Sequence, residues 1–343
     1  TGTENTASGY MALCTNTTAS FNTAFGSRAL KVNTTGACND AFGWCALTTN
    51  TTGGYNTAMG LWSLKLNTTG CRNASVGSHS LQSNTTGCFN TTIGYASLQA
   101  NTTASFNTAV GACTLYANTT GTRNTASGYG ALKTNTTANN NTAHGFAALN
   151  LNTTGAQNTS IGSYSLQQNT TGADNTGSGH YAMKANTTGT CNTSIGAFAL
   201  CKNTTGNLNV AIGRTALHAN TTAHYNTAVG GCSLFANTTG SNNIAVGYQA
   251  LKANTCGGCN VAMGNLTMAD NTTGSGNTAL GRAALNENTT GSCLVGVGYG
   301  ALESNTSGDW SVGVGRDALT SNTTGCKNTA VGSCALGKLT TTC

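Results

Sequence analysis

Polar and apolar positions follow one pattern that repeats every seventeen residues along this chain. An asparagine stands at position 16 and at every seventeenth position up to Asn322. Counted from that asparagine, the repeat reads N-T-T-G-x-x-N-T-A-V-G-x-x-A-L-x-x, and residues that share a position in successive repeats form a column. Residues 1–15 are a partial repeat, 16–338 are full repeats and 339–343 begin another. Residues 1–343 are therefore predicted to form a single repeat domain.

The columns that vary least predict where the core lies. Column eleven is Gly in every repeat, from Gly9 to Gly332, and column fifteen is Leu except at Met183 and Met268. Column ten is mostly Val, Ile, Phe or Met. We expect the side chains of columns ten and fifteen to fill a thin core. Apart from Asp40, the charged residues fall in columns five, six, twelve, thirteen, sixteen and seventeen, which we expect to face solvent.

The seventeen-residue period predicts an all-β fold. Repeats built from pairs of helices need roughly thirty residues or more, whereas a short period suits one coil of a parallel β-solenoid, either a β-helix or a β-roll. Gly, Asn and Thr are also poor helix formers. We expect about twenty stacked coils. Strands are predicted at columns seven to ten and thirteen to sixteen, with corners at the Gly of column eleven and at N-T-T-G.

Two further expectations concern contacts between coils and between chains. Column nine, almost always Ala, Ser or Gly, is either a contact between chains or a tight corner. The first and last repeats resemble all the others. The solenoid is therefore expected to be uncapped and to stack head to tail on further copies of itself.

Composition disfavours several classes of protein. Charged residues make up 6% of the chain and Pro is absent, which disfavours a disordered chain. The net charge of +6 comes from scattered residues, and the lysines of column sixteen lie several coils apart. We therefore expect no nucleic-acid groove, and we also expect no insertion into a membrane.

The sequence carries no signature of catalysis. It lacks a G-x-S-x-G motif and a phosphate-binding loop, and its 8 acidic residues do not recur in pairs. His144 in column ten has no partner and is interpreted as a tolerated substitution on the inner face. The C-G-G-C segment at 256–259 is half of a zinc motif, a local disulfide or two unrelated thiols. We expect no enzyme activity, no cofactor, no metal site and no catalytic residues.

The cysteines indicate where the protein resides. Fifteen cysteines in so uncharged a chain are typical of an oxidising, extracellular location, either secreted or attached to a surface. Cys71 and Cys88 share column five in adjacent repeats, as do Cys326 and Cys343. Stacked strands bring such positions close to the separation that a disulfide needs, so both pairs are predicted to be bridged. The odd count leaves at least one cysteine free or bonded to another chain.

Sequons are the other regular feature of the repeat. Eighteen of the column-one asparagines stand in N-x-T or N-x-S, while Asn254 stands in the weaker N-T-C. They are either acceptors of N-linked glycans or asparagines that hydrogen-bond in a turn and ladder, as the column-seven asparagines do. Two isolated sequons lie in solvent columns. The predicted glycosylation sites are Asn16, Asn33, Asn50, Asn67, Asn84, Asn101, Asn118, Asn135, Asn152, Asn169, Asn186, Asn203, Asn220, Asn237, Asn271, Asn288, Asn305 and Asn322, with the isolated Asn140 and Asn265.

The repeat resembles those of known fibre proteins. The consensus N-T-A-V-G-x-x-A-L next to N-T-T-G, with the variant N-I-A-V-G-Y-Q-A-L at residues 243–251, resembles repeats in long tail-fibre proteins of phages and bacteria. It is similar, more distantly, to the N-S-V-A-I-G repeats of trimeric autotransporter adhesin heads. The resemblance covers the whole chain. It implies an extracellular, elongated and often trimeric attachment structure.

Three functional hypotheses follow from these observations. The first is a structural subunit of an extracellular filament, assembled by end-to-end stacking of solenoids and carrying covalently attached glycans. The second is an attachment fibre or adhesin shaft that binds a cell-surface glycan or a receptor. The third, raised by the Thr ladders, is an ice-binding rod.

Overall fold

The structure, a computed structural model, describes residues 2–341, and that range contains twenty short β-strands, turns and no helix. Each coil of seventeen residues contributes one strand of three residues, at columns eight to ten. Neighbouring strands are parallel, which confirms the predicted all-β solenoid. The chain comprises two compact units, Thr1–Ala173 (unit 1) and Asp174–Cys343 (unit 2).

Each unit contains ten of these strands. Those of unit 1 are β1 Thr6–Ser8, β2 Thr23–Phe25, β3 Asp40–Phe42, β4 Thr57–Met59, β5 Ala74–Val76, β6 Thr91–Ile93, β7 Thr108–Val110, β8 Thr125–Ser127, β9 Thr142–His144 and β10 Thr159–Ile161. Those of unit 2 are β11 Thr176–Ser178, β12 Thr193–Ile195, β13 Val210–Ile212, β14 Thr227–Val229, β15 Ile244–Val246, β16 Val261–Met263, β17 Thr278–Leu280, β18 Val295–Val297, β19 Val312–Val314 and β20 Thr329–Val331.

Coils stack in register within each unit. Within a unit, each strand pairs with the strand of the next coil, and paired Cα atoms belong to residues seventeen apart, as Ala211 pairs with Ala228. Backbone hydrogen bonds between coils continue outside the strands. The Leu64 amide, for example, donates to the Ser80 carbonyl at 3.1 Å. The repeat period thus places each column at a fixed position around the coil.

The prediction of a second strand at columns thirteen to sixteen is wrong, because each coil has one strand. The prediction that column seven belongs to the first strand is also wrong, because that strand begins at column eight. Columns thirteen to sixteen form turns in which columns thirteen and fifteen have positive φ, 59° at Trp62 and 49° at Leu64. Successive strand residues face opposite sides, but Ser63 and Leu64 are both fully buried. The left-handed backbone of a column-fifteen leucine costs about 1–2 kcal/mol of folding free energy. Burial of the leucine side chain contributes about 1.5–3 kcal/mol and so offsets this cost.

The core differs from the prediction at column ten. Leucines of column fifteen are buried as expected, except Leu13 and Leu336 in the first and last coils. Column ten faces outward, with Phe25 42% and Ile93 48% exposed. The interior is lined instead by the small residues of columns nine and fourteen, such as Ala24 and Ala29. Column nine is therefore a tight interior position. His144 of column ten lies on the outer face and not on the inner face, because alternation along the strand turns columns eight and ten to solvent.

Column eleven forms the predicted corner. Its glycines have φ between +118° and +143°, as at Gly128 and Gly264, a range that L-residues with side chains rarely adopt. The strand ends there, and the chain turns into the short loop that carries columns twelve to seventeen. The six predicted solvent columns hold exposed or partly exposed side chains in most coils.

Candidate functional site

The asparagines of column one form a continuous hydrogen-bonded ladder inside each unit. The Asn50 Nδ2 donates to Asn33 Oδ1 and to the Gly53 carbonyl, both at 2.8 Å. The same pair of bonds recurs at Asn135, at 2.8 Å to Asn118 Oδ1 and 3.1 Å to a carbonyl. Asn50 and Asn135 have no exposed surface. Both amide hydrogens of a column-one asparagine are therefore committed to the interior.

The asparagines of column seven form a second ladder. The Asn39 Oδ1 accepts from the backbone amide of Asn56 at 3.0 Å and from its Nδ2 at 3.1 Å. The Asn56 Nδ2 also donates to the Gly70 carbonyl at 2.9 Å, and this oxygen accepts from Asn67 Nδ2 of column one at 2.9 Å. A column-four carbonyl thus joins the two ladders. Buried amides whose donors and acceptors are paired stabilise the coil and present no reactive group to a ligand.

The predicted glycosylation sites fall into two structural groups. The eighteen column-one sequons lie in the first ladder, where all but Asn16 are buried and Asn16 is half-buried. A glycan on Nδ2 replaces a hydrogen of the ladder and needs space that the interior lacks. The geometry favours the ladder interpretation for column one. By contrast, Asn140 and Asn265 are exposed, in columns six and twelve.

This difference leads to a prediction for chain produced in a cell that performs N-glycosylation. Glycans are expected at Asn140 and Asn265, because their side chains reach solvent. Column-one asparagines of the folded protein, such as Asn135, are expected to be unmodified. Glycopeptide mass spectrometry of soluble, folded material measures the occupancy of each site. High occupancy along column one would contradict the ladder geometry, and the variant with Gln at residues 140 and 265 provides the unglycosylated control.

The cysteines of column five bring two thiols together in unit 1. The Cys71 and Cys88 sulfur atoms lie 2.9 Å apart. The hydrogen bond with Cys88 and, next, burial raise the pKa of the Cys71 thiol, while the neighbouring Arg72 guanidinium has the opposite effect. Cys326 is half-buried, and its predicted partner Cys343 lies outside the described residues.

Mild oxidation is expected to join Cys71 to Cys88 and to stabilise unit 1. A bridge across a loop of this length contributes about 3 kcal/mol. Because its pKa is raised, Cys71 of the reduced protein is expected to react with iodoacetamide more slowly at neutral pH than the exposed Cys191 does. Peptide mapping without reduction detects the bridge, and the Cys88→Ser variant is the control. Recovery of unlinked Cys71 and Cys88 peptides after oxidation would contradict the prediction.

The other chemistry-bearing residues do not converge on a site. Cys256 and Cys259 are both exposed, in columns three and six of one coil. Within residues 2–341, no three His, Cys, Asp or Glu side chains are grouped as metal ligands. A cleft of about 460 Å³ in unit 2 is lined by Asp317, Cys334 and Lys338 among others, and the Asp317 carboxylate there accepts a hydrogen bond from Arg316 at 3.0 Å. No helix in the described range is long and apolar enough to cross a membrane.

Aromatic and arginine side chains of column six form a row along five successive coils of unit 1. The Arg72 guanidinium lies 5.5 Å from the ring centre of Tyr55 and 5.3 Å from that of Phe89. Phe89 and Phe106 stack 5.1 Å apart, 7° from parallel, and Arg123 lies 5.8 Å from the Phe106 ring centre. Neighbours therefore cover both faces of Phe89 and Phe106, whereas Tyr55 has Arg72 over one face. Sequence reasoning missed this row, although column six shows it when consecutive repeats are aligned.

Comparison with known proteins adds no assignment, since no protein-family model matches the chain and a search of curated proteins gives no significant match.

Proposed function

We propose that this chain is a structural segment of an extracellular filament whose shaft is a stack of β-solenoid coils. The observation that carries the proposal is the column-one ladder, which makes the same contact from coil to coil within each unit. Asn203 Nδ2 donates to Asn186 Oδ1, and Asn220 Nδ2 donates to Asn203 Oδ1, both at 2.8 Å. Each coil thus offers the same acceptors on one face and the same donors on the other. A coil of a second chain can make the contact that already holds coils together within one chain.

The side chains on the surface support a mechanical role more than a binding role. An attachment fibre that binds glycans through stacked rings needs free ring faces, and in the column-six row of unit 1 the faces of Phe89 and Phe106 are covered by their neighbours. The resemblance of the repeat to tail-fibre and adhesin repeats suits an elongated shaft equally well. The filament is therefore the function that these observations support best.

Two features support an extracellular location. The paired thiols of Cys71 and Cys88 are suited to an oxidising compartment, where they would link adjacent coils covalently. The sequons at Asn140 and Asn265 lie on the surface, where attached glycans would hydrate a chain with few charges.

Electron microscopy and sedimentation of the purified chain over a range of concentrations test the proposal. Particles are expected to lengthen as the concentration rises, and aligned samples to diffract at about 4.8 Å along the filament axis, the spacing of stacked strands. Particles of one fixed, short length at every concentration would reject the filament, even if the axial diffraction remained, because a single chain already contains stacked coils.

A further inference from the structure

The outer face of unit 2 carries an apolar stripe that is uninterrupted from β12 to β20 and begins after Ser178 of β11. The stripe consists of the column-ten side chains of β12 to β20, namely Ile195, Ile212, Val229, Val246, Met263, Leu280, Val297, Val314 and Val331. All are exposed or half-buried, with Ile195 at 43% and Met263 at 45% exposed. Column eight, which borders the stripe, contains Thr, Val or Ile at every one of these strands. The face of unit 2 from β12 to β20 is thus free of charge.

The apolar area of this stripe is large for a surface that contacts only water. Nine adjoining side chains of this size expose roughly 500 Å² of contiguous apolar surface, near the upper end of what soluble monomers tolerate. The corresponding face of unit 1 is interrupted by Asp40 in column eight and by Ser127 and His144 in column ten. The uninterrupted face of unit 2 therefore distinguishes it as a contact surface.

The spacing of the stripe identifies its occupant. Successive side chains belong to paired strands, so they repeat at the strand separation of about 4.8 Å. A partner can match this surface side chain for side chain over nine coils only if it repeats at the same spacing. A second copy of this chain does so, and identical in-register side chains on facing sheets interdigitate into a dry interface. The same surface on both partners makes the contact self-complementary.

We propose that the apolar stripe of unit 2 is a lateral docking surface for the same stripe of a second copy of this chain. The contact is side by side and is distinct from end-to-end stacking, so it goes beyond the filament and does not depend on it. A paired stripe buries somewhat less than the roughly 800 Å² per partner of standard interfaces. We expect a reversible dimer of 34.3 kDa chains, and a doubled shaft where filaments form.

The test introduces charge on this face and, as a matched control, on another face of the same three coils. The face variant carries Ile212→Lys, Val229→Lys and Val246→Lys, all on outward-facing positions. The control carries three lysines in column six instead, namely Leu208→Lys, Tyr225→Lys and Asn242→Lys. The replaced side chains are exposed, and lysine occurs naturally in this column at Lys327. Circular dichroism checks that both variants fold. A threonine version of the face variant replaces it if the lysines prevent folding, since threonine is common in column eight.

Scanning transmission electron microscopy measures mass per unit length where filaments form, and sedimentation equilibrium measures the particle mass where they do not. Wild type and control are expected to have twice the mass per unit length of a single stack of coils, or twice the mass of one chain where no filaments form. The face variant is expected to have the values of a single stack and a single chain. A single-stack value for the wild type, or a doubled value for the folded face variant, would overturn the proposal. A wild type that is single but binds phosphatidylcholine vesicles would also overturn it. Mass per unit length does not depend on how many chains stack end to end. Failure of the filament proposal is therefore distinguished from failure of the lateral contact.

Discussion

Replacement of Gly230 by alanine is expected to unfold the coils around it and to cost about 3–5 kcal/mol of stability, from backbone strain and overpacking together. Gly230 has φ of +131°, where an L-residue with a side chain is strained. A Cβ at this position would also lie inside van der Waals contact with the carbonyl of Gly247 in the next coil. That oxygen belongs to stacked backbone and cannot rotate away as a side chain does. Denaturant unfolding followed by circular dichroism measures the loss.

The neighbouring Gly231→Ala variant is the control. Gly231 does not have a positive φ, and a methyl group added there would lie 3.5 Å from a ring carbon of Tyr248, an ordinary contact. Column twelve already contains alanine at Ala112 and Ala197. This variant is expected to stay within about 0.5 kcal/mol of the wild type. Equal stability of the two variants would show that column eleven is not the rigid corner described above.

The column pattern was sufficient to predict the coil, its parallel stacking and its corner at column eleven. A fixed seventeen-residue period requires each residue type to return to the same position around the coil, and Gly at every repeat marks a backbone constraint. The positions of the strands were less well predicted. Apolar character at column ten suggested an inner face, but Ala24 takes the interior position and Phe25 faces outward.

The reason for that error is physical and could have been read from the repeat. Columns fourteen and fifteen are adjacent and both apolar or small, as in Ala29 and Leu30, and both are fully buried. A strand cannot turn two successive side chains inward, so the pair requires a turn with a left-handed residue. Once that turn supplies leucine to a narrow interior, only a small residue fits opposite, at column nine. Column ten is then left for the outer face.

The properties of the candidate sites were harder to predict than the fold, because they depend on the distances between side chains and on their burial. Shared column five did predict the proximity of Cys71 and Cys88, since register brings equivalent positions together. Burial of the column-one asparagines was not predictable from sequons, because Asn in a sequon and Asn in a ladder look alike in sequence. Asn84, for example, is compatible in sequence with a glycan acceptor and with a ladder asparagine, and only its complete burial distinguishes the two.

Replacement of Asn271 by aspartate is expected to destabilise unit 2 at neutral pH by about 3–5 kcal/mol, the cost of an unpaired buried charge. The Asn271 Nδ2 donates to Asn254 Oδ1 at 2.8 Å and to the Gly274 carbonyl at 3.0 Å. An aspartate oxygen in its place would face two acceptors in a site with no exposed surface. The shape of the side chain is nearly unchanged, so the loss reports on the ladder bonds and not on a cavity.

The pH dependence of this variant tests the same point independently. Burial among acceptors raises the folded-state pKa of the new carboxyl above its unfolded value near 3.9. The folded state then binds more protons than the unfolded state, so stability falls as pH rises from the unfolded pKa to the folded pKa and is constant above it. Acidification should therefore recover most of the loss. Asn265→Asp, on an exposed position six residues earlier, should show neither the loss nor this pH dependence. Identical unfolding curves for the two variants at neutral pH would mean that column one is not a buried ladder, and glycan acceptors along it would again be the better interpretation.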